Sequence, residues 1–149
     1  MPTTNSRLAN FLPYLLAITS NAVSGRIAEE YRARFGLRIP EWRVMAVLGD
    51  AGALTQRDLV RSTLMDKVAV NRACKVLEER GLITRSPNSQ DGRSHHLTLT
   101  ETGLALHGEV MPMTWEMFER IFVDITPEER AGLIALLSRI RDGVKAIDA

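Results

Sequence analysis

Two helix-start signals eleven residues apart constrain this chain more than any other feature. In "TQRDLVRSTLMDKVAVNRACKVLEERG", residues 55–81, Thr55 and Asp66 each stand where a side-chain oxygen can accept from the first free N–H groups of a helix. Asp58, three residues after Thr55, supplies the reciprocal half of a capping box. The first segment is short, and Leu59 gives it a buried side. "TLM" (63–65) leaves room only for a tight turn. In the second segment Val70, Ala73, Cys74 and Leu77 fall at i, i+3, i+4 and i+7, which predicts one buried helix face. Lys67, Ala69, Asn71, Arg72 and Lys75 mostly lie off that face, and Gly81 closes the helix. A short capped helix, a three-residue turn and a longer capped helix with outward polar residues describe a helix-turn-helix.

The surroundings are helical apart from one hairpin. "FLPYLLAITSNAVSGRIAEEYRARFG" has apolar residues at helical spacing, with Pro13 early and Gly36 at the stop. "PEWRVMAVLGDAG" predicts a shorter helix that starts near Pro40 and ends between Gly49 and Gly52. Leu82–Arg85 and Leu97–Thr100 read as strands joined by a long polar tip. Thr100 caps a helix over roughly 101–123, in which Pro112 predicts a kink or break. Thr126, Pro127 and Glu129 start the last helix. The expected fold is mainly α with a small β-hairpin wing, residues 37–100 forming the helix-turn-helix domain. Residues 1–36 and 101–149 have long helices with wide apolar faces, suited to a helical dimer interface.

Charge points to the middle of the chain as the surface for a polyanion. The net charge is only +1. Yet residues 55–96 carry 8 Lys/Arg against 5 Asp/Glu, whereas residues 97–149 carry 5 against 9. No apolar run is long enough for a transmembrane helix, so no membrane partner is expected, and the first ten residues lack the pattern of a signal peptide. Cys74 is the single cysteine and cannot form an internal disulfide, which fits a reducing cytoplasm.

A helix-turn-helix presents side chains to base edges in the major groove. Asn71 can pair with adenine, Arg72 or Lys67 with guanine, and Ala69 or Val70 can touch a thymine methyl. Lys75 lies one turn further on. Thr55, Gln56, Arg57 and Arg61 are placed to hold phosphates. The hairpin tip "SQDGRSHH" then gains a meaning. An arginine on a protruding ribbon reaches the narrow minor groove, where the potential is most negative. Arg93 fits that role, Asp91 can brace it, and Ser94 and His95 flank it. A D-x-R by itself is an ordinary solvated turn; following a helix-turn-helix it is a wing.

At this point the stretch "LTQRDLVRSTLMDKVAVNRACKVLEERGLITRSPNSQDGRSHHLTLTETG" resembles the winged-helix core of the MarR family of bacterial and archaeal transcription regulators. The elements that match are "LTQRDL", "DK" at the start of the recognition helix, "LEERGLITR", and D-x-R followed by "LTLTETG". Upstream, "EWRVMAVL" is similar to the family's second helix, and the resemblance covers about residues 10–145. It implies a winged helix-turn-helix with long N- and C-terminal dimerisation helices. It implies a homodimer, probing two successive major grooves of double-stranded DNA, with wing arginines in the flanking minor grooves. It also implies control by small phenolic or aromatic acids, or by thiol oxidation. Residue by residue, Lys67, Ala69, Asn71 and Arg72 match the base-reading positions, Arg93 the wing-tip arginine and Asp91 its pairing acid. Leu64 departs from the pattern, standing where glycine is common.

Other residues carry sharper and blander readings side by side. Cys74 on the buried face reads as a small core side chain, and the peroxide-sensing branch of the family keeps its reactive cysteine in the first helix, where this chain has none. His95 and His96 are adjacent in a strand, point to opposite faces and make a poor chelate; no metal and no cofactor is expected. Near the DNA-facing ribbon they would make binding sensitive to mild acid. Arg26, Trp42, Arg43, Met111 and Trp115 outline a possible effector pocket, though Met and aromatic residues at helical spacing also suit plain core. The favoured function is a dimeric DNA-binding repressor in the cytoplasm, released by a small aromatic effector. The alternatives are a small metal- or thiol-dependent sensor or enzyme, and a winged helix used for protein contacts. No phosphate loop, metal-ligand spacing or nucleophile–base set supports an enzyme. Arg130, in the acidic tail, serves as a remote comparison for Arg93.

Overall fold

The computed structural model describes residues 7–87 and 95–148. A 3-10 turn at Arg7–Asn10 precedes α1 (Leu12–Phe35) and α2 (Ile39–Ala51). Next come α3 (Gln56–Thr63), α4 (Lys67–Glu79), β1 (Ile83–Pro87) and β2 (His95–Leu99), then α5 (Glu101–Ile121) and α6 (Pro127–Ile147). The chain divides into two compact units, with the boundary between Thr114 and Trp115.

In the first unit the helix ends sit where local chemistry places them. Gly36 takes a left-handed φ of 63° at the end of α1, a backbone shape that costs glycine little. Thr55 and Asp58 form the expected capping box on α3, and the Asp66 carboxylate accepts from Ala69 N at 2.7 Å to start α4. The core is built from α2, α3, α4 and the hairpin: Val44, Met45, Leu59, Val70, Cys74, Leu77 and Leu97 are at most 1% exposed. Each such aliphatic side chain contributes roughly 1.5–3 kcal/mol by leaving water.

β1 and β2 pair antiparallel, with Ile83 opposite Leu99 and Pro87 opposite His95. Both strands differ from the expected spans, running to Pro87 and beginning at His95. Ladder pairing carries the hairpin further toward its tip than the apolar alternation shows, and Thr100 leaves the strand to cap α5 through its Oγ1 and Gly103 N. Leu54 bridges to Leu97 in both directions, at 2.7 and 3.1 Å, so the segment ahead of α3 forms a third, one-residue rung.

Pro112 does not break α5, which runs from Glu101 to Ile121, two residues short of the expected end. The proline removes one backbone donor, whose acceptor would be the Gly108 carbonyl. Gly108 and Pro112 are both exposed, so water can meet that carbonyl. The loss is small enough for the flanking turns to carry the helix through.

The second unit contains the end of α5 and α6. Here Arg130 is a clamp: it pairs with Glu119 at 3.3 Å, donates to the Phe122 carbonyl at 2.8 Å and lies 5.0 Å over the Phe118 ring. It is therefore unsuited as a remote comparison for a DNA contact, because its loss would disturb this unit. Thr126 and Glu129 form the expected capping box of α6. No residue of α6 is buried, and Leu133, Ile134, Leu136, Ile140, Val144 and Ile147 are 41–82% exposed. Among the described residues no helix is long and apolar enough to cross a membrane.

Candidate nucleic-acid interface

α4 has one face in the core and the opposite face in solvent. Val70, Ala73, Cys74 and Leu77 are buried. At about 100° per residue, Val68, Arg72 and Lys75 fall on the side facing away, with Lys67 and Asn71 on one flank; all five are exposed. Ala69 is half-buried. Val70, at 1% exposure, cannot reach a thymine methyl. It belongs to the core that the i, i+3, i+4 spacing defines, and the helix cannot show one side chain to both sides. Val68, 58% exposed, is the apolar residue on the outward face. The spacing contained this signal, since Val68 lies roughly half a turn from the buried stripe, but an apolar side chain is readily passed over as core.

Lys67 is the first residue of α4. A cation at a helix N-terminus opposes the macrodipole and costs a few tenths of a kcal/mol unless an anion approaches. Asp66 satisfies the Ala69 N–H there, so the positive helix end is capped while Lys67, Arg72 and Lys75 supply exposed positive charge.

Of the residues expected to hold phosphates, Arg57 and Arg61 are exposed on α3. Thr55 is committed to its cap: its Oγ1 accepts from Asp58 N, and its own N–H donates to Asp58 Oδ2, both at 3.1 Å. These bonds from Thr55 hold the Asp58 carboxyl below its usual range. Gln56 is turned toward α4, with Nε2 3.3 Å from Asn71 Oδ1. Behind it Cys74 is fully buried, and burial pushes its thiol pKa up, away from thiolate chemistry.

His95 is exposed and His96 half-buried, on opposite faces of β2. Asp91, Arg93 and Ser94 lie outside the described residues. Arg85 Nε donates to Glu78 Oε1 at 2.7 Å and fastens β1 to α4.

The five residues expected to form an effector pocket are divided between the two units. Trp42 packs between the rings of Tyr31 and His107, at 5.4 and 5.6 Å. Arg26 pairs with Glu29 and Glu30, Arg43 is exposed, Met111 is half-buried, and Trp115 belongs to the second unit, edge-on to Phe118. A cavity of about 240 Å³ is lined by Ala28, Arg32, Arg38, Ile39 and Pro40. It depends on the bend between α1 and α2, which apolar spacing within either helix does not reveal.

A MarR family model matches residues 35–94, the span that carries this geometry. Over this span the chain is similar to the MarR family. It is 26% identical over 123 residues to the HTH-type transcriptional regulator YdgJ of Bacillus subtilis, covering 83% of this chain and 75% of the relative. A MarR/EmrR family regulator from Acinetobacter sp. ADP1 superposes with a TM-score of 0.86 at 25% identity, covering 95% of this chain and 99% of the other. Bordetella bronchiseptica BpsR, whose DNA binding is regulated by 6-hydroxynicotinic acid, superposes at 0.82 with 26% identity over 92% and 97% of the two chains. The chain shares the winged-helix fold of these transcriptional regulators.

Proposed function

We propose that the chain is a homodimeric repressor that binds a pseudo-palindromic operator through α4 and the wing. The observation that carries this reading is the division of α4 into a fully buried face and an outward face of Lys67, Val68, Asn71, Arg72 and Lys75. Those side chains supply donors, positive charge and one methyl-bearing contact, the chemistry of major-groove recognition. Dimerisation follows from the apolar side chains exposed on α6 and, at Phe11, Leu12 and Leu16, at the start of α1, which a single copy leaves in water. Two-fold symmetry spaces the half-sites one helical turn apart, roughly 34 Å. Repression follows because a dimer seated over a promoter excludes polymerase. The domain roles are accordingly DNA binding for 37–100 and dimerisation for 1–36 and 101–149.

A small aromatic acid is the proposed effector. Support comes from the regulation of BpsR by 6-hydroxynicotinic acid and from the cavity whose lining pairs two guanidiniums, Arg32 and Arg38, with Ile39 and Pro40. An acid that favours one dimer geometry over another shifts DNA affinity by that difference.

Fluorescence anisotropy with duplexes from the DNA upstream of the chain's own gene tests the reading. Nanomolar affinity, a steep fall with salt and preference over scrambled DNA are expected. Arg93→Ala is expected to weaken binding more than Arg139→Ala, a change at an exposed position of α6. Equal binding to scrambled DNA contradicts the assignment. A thermal-shift screen of aromatic acids tests the effector, since a ligand of the folded state raises apparent stability.

A further inference from the structure

Gln56 is the first residue of α3, and Asn71 stands on the outward flank of α4 fifteen positions later. The Gln56 Nε2 to Asn71 Oδ1 bond, at 3.3 Å, joins the two helices of the motif through side chains. A carboxamide has one acceptor oxygen and one NH2 group. With Oδ1 drawn toward Gln56, the Asn71 NH2 group is the part left to face outward. The Gln56 Nε2 is thereby directed at α4.

We propose that Gln56 is a positioning residue for sequence readout, orienting the Asn71 carboxamide so that it offers hydrogen-bond donors to the major groove. The inference rests on the reading of α4 as the recognition helix. The base edges that suit a donor-only asparagine are acceptors: guanine O6 and N7, adenine N7 and thymine O4. A bidentate contact to adenine N6 and N7 needs Oδ1 turned to the base, which the bond to Gln56 opposes. The base pair read by Asn71 should thus be chosen for its acceptors.

The test is selection of binding duplexes from a library with a randomised core, followed by relative affinities for all four bases at each half-site position. Wild type, Gln56→Ala, Gln56→Glu, Asn71→Ala and the double alanine variant are compared. Gln56→Ala is expected to relax preference at the same base pair as Asn71→Ala, by about fivefold, the worth of one hydrogen bond. The slope of log Kd against log salt should not change. The double variant should lose no more preference there than Asn71→Ala alone. Gln56→Glu keeps the shape but replaces the donor by acceptors. It should turn the Asn71 amide over and move preference toward donor edges, adenine N6 or cytosine N4. Uniform weakening across all bases with a shallower salt slope would make Gln56 a phosphate contact and overturn the proposal. Preference lost at a different base pair, losses that add in the double variant, or no change would overturn it as well. If wild type selects no sequence, the recognition-helix reading itself has failed, and that outcome is visible before any variant is compared.

Discussion

Arg80 holds the end of α1 from the end of α4: its two terminal nitrogens donate to the carbonyls of Gly36 and Phe35, at 3.2 and 3.1 Å. These carbonyls lie at a helix C-terminus, where the macrodipole favours a cation. The contact spans 44 positions of sequence and ties the end of α4 to the bend beside the Arg32–Arg38 cavity. Arg80→Met retains the aliphatic stem and removes the donors. It is expected to cost about 1 kcal/mol in urea unfolding, because the group is exposed and water partly replaces it. A loss below a few tenths would show that the clamp is ornamental in solution.

Leu64 ends α3 with φ of 56° and ψ of 31°, the described non-glycine residue with positive φ. Left-handed backbone costs an L side chain roughly 1–2 kcal/mol, and at 86% exposure this leucine recovers little by burial. Leu64→Gly relieves the strain but adds chain entropy to the unfolded state. The net expectation is a gain of about 0.5 kcal/mol, and Leu64→Val, β-branched, is expected to lose stability. Chemical denaturation of the three proteins orders them Gly, Leu, Val from most to least stable.

Gly103 and Gly108 share α5 but predict opposite outcomes for alanine. A Cβ on Gly103 would collide with the Leu82 carbonyl oxygen, which already accepts from Thr100 N at 3.0 Å. Backbone cannot yield there cheaply, so Gly103→Ala is expected to cost about 2 kcal/mol or more. A Cβ on Gly108 meets nothing within 4 Å. Gly108→Ala should gain about 0.5–1 kcal/mol of helix stability. Thermal unfolding of both variants checks the pair; equal shifts would contradict the close approach.

The sequence shows these elements unequally, and the reason is range. Thr55, Asp66 and Thr126 cap helices through bonds to residues three positions away, so their chemistry is written locally. Arg80, Arg130 and Gly103 work through partners that only folding brings near, and none stands out by spacing. Pro112 shows the converse: its local signal is strong, yet an exposed, accommodated carbonyl overrides it. The two faces of α4 were legible because one periodicity defines both, although it was Val68 and not Val70 that the geometry turned outward. The Arg32–Arg38 cavity was not legible, since a cavity arises from the angle between helices rather than from the pattern along one.

Val68 and Val70 therefore make a decisive comparison. Val70→Ser leaves a hydroxyl and a void in the core and is expected to cost about 2 kcal/mol or more. Val68→Ser should leave stability within about 0.5 kcal/mol. It should instead lower DNA affinity where the operator presents a thymine methyl. Denaturation midpoints and anisotropy on the same samples separate the two effects, and a large stability loss at Val68 would contradict its exposure.

Asp58 gives stability a dependence on acid whose sign follows from its pairing. Bonds from the Thr55 N–H and hydroxyl region hold its carboxyl below the reference value of 3.8. A group with a depressed folded-state pKa contributes fully above its unfolded value and loses that contribution as pH falls through the folded one. Wild type should accordingly lose stability as pH drops below about 4, where the unfolded chain binds a proton that the folded cap excludes. Asp58→Asn keeps the shape and removes the titration, so its midpoint should be lower at pH 7 and approach that of wild type as pH falls toward 3. Because the carboxylate is open to solvent, high salt should narrow the difference between the two proteins without abolishing it. Parallel curves over the whole range would mean that the Thr55–Asp58 box does not distinguish folded from unfolded chain.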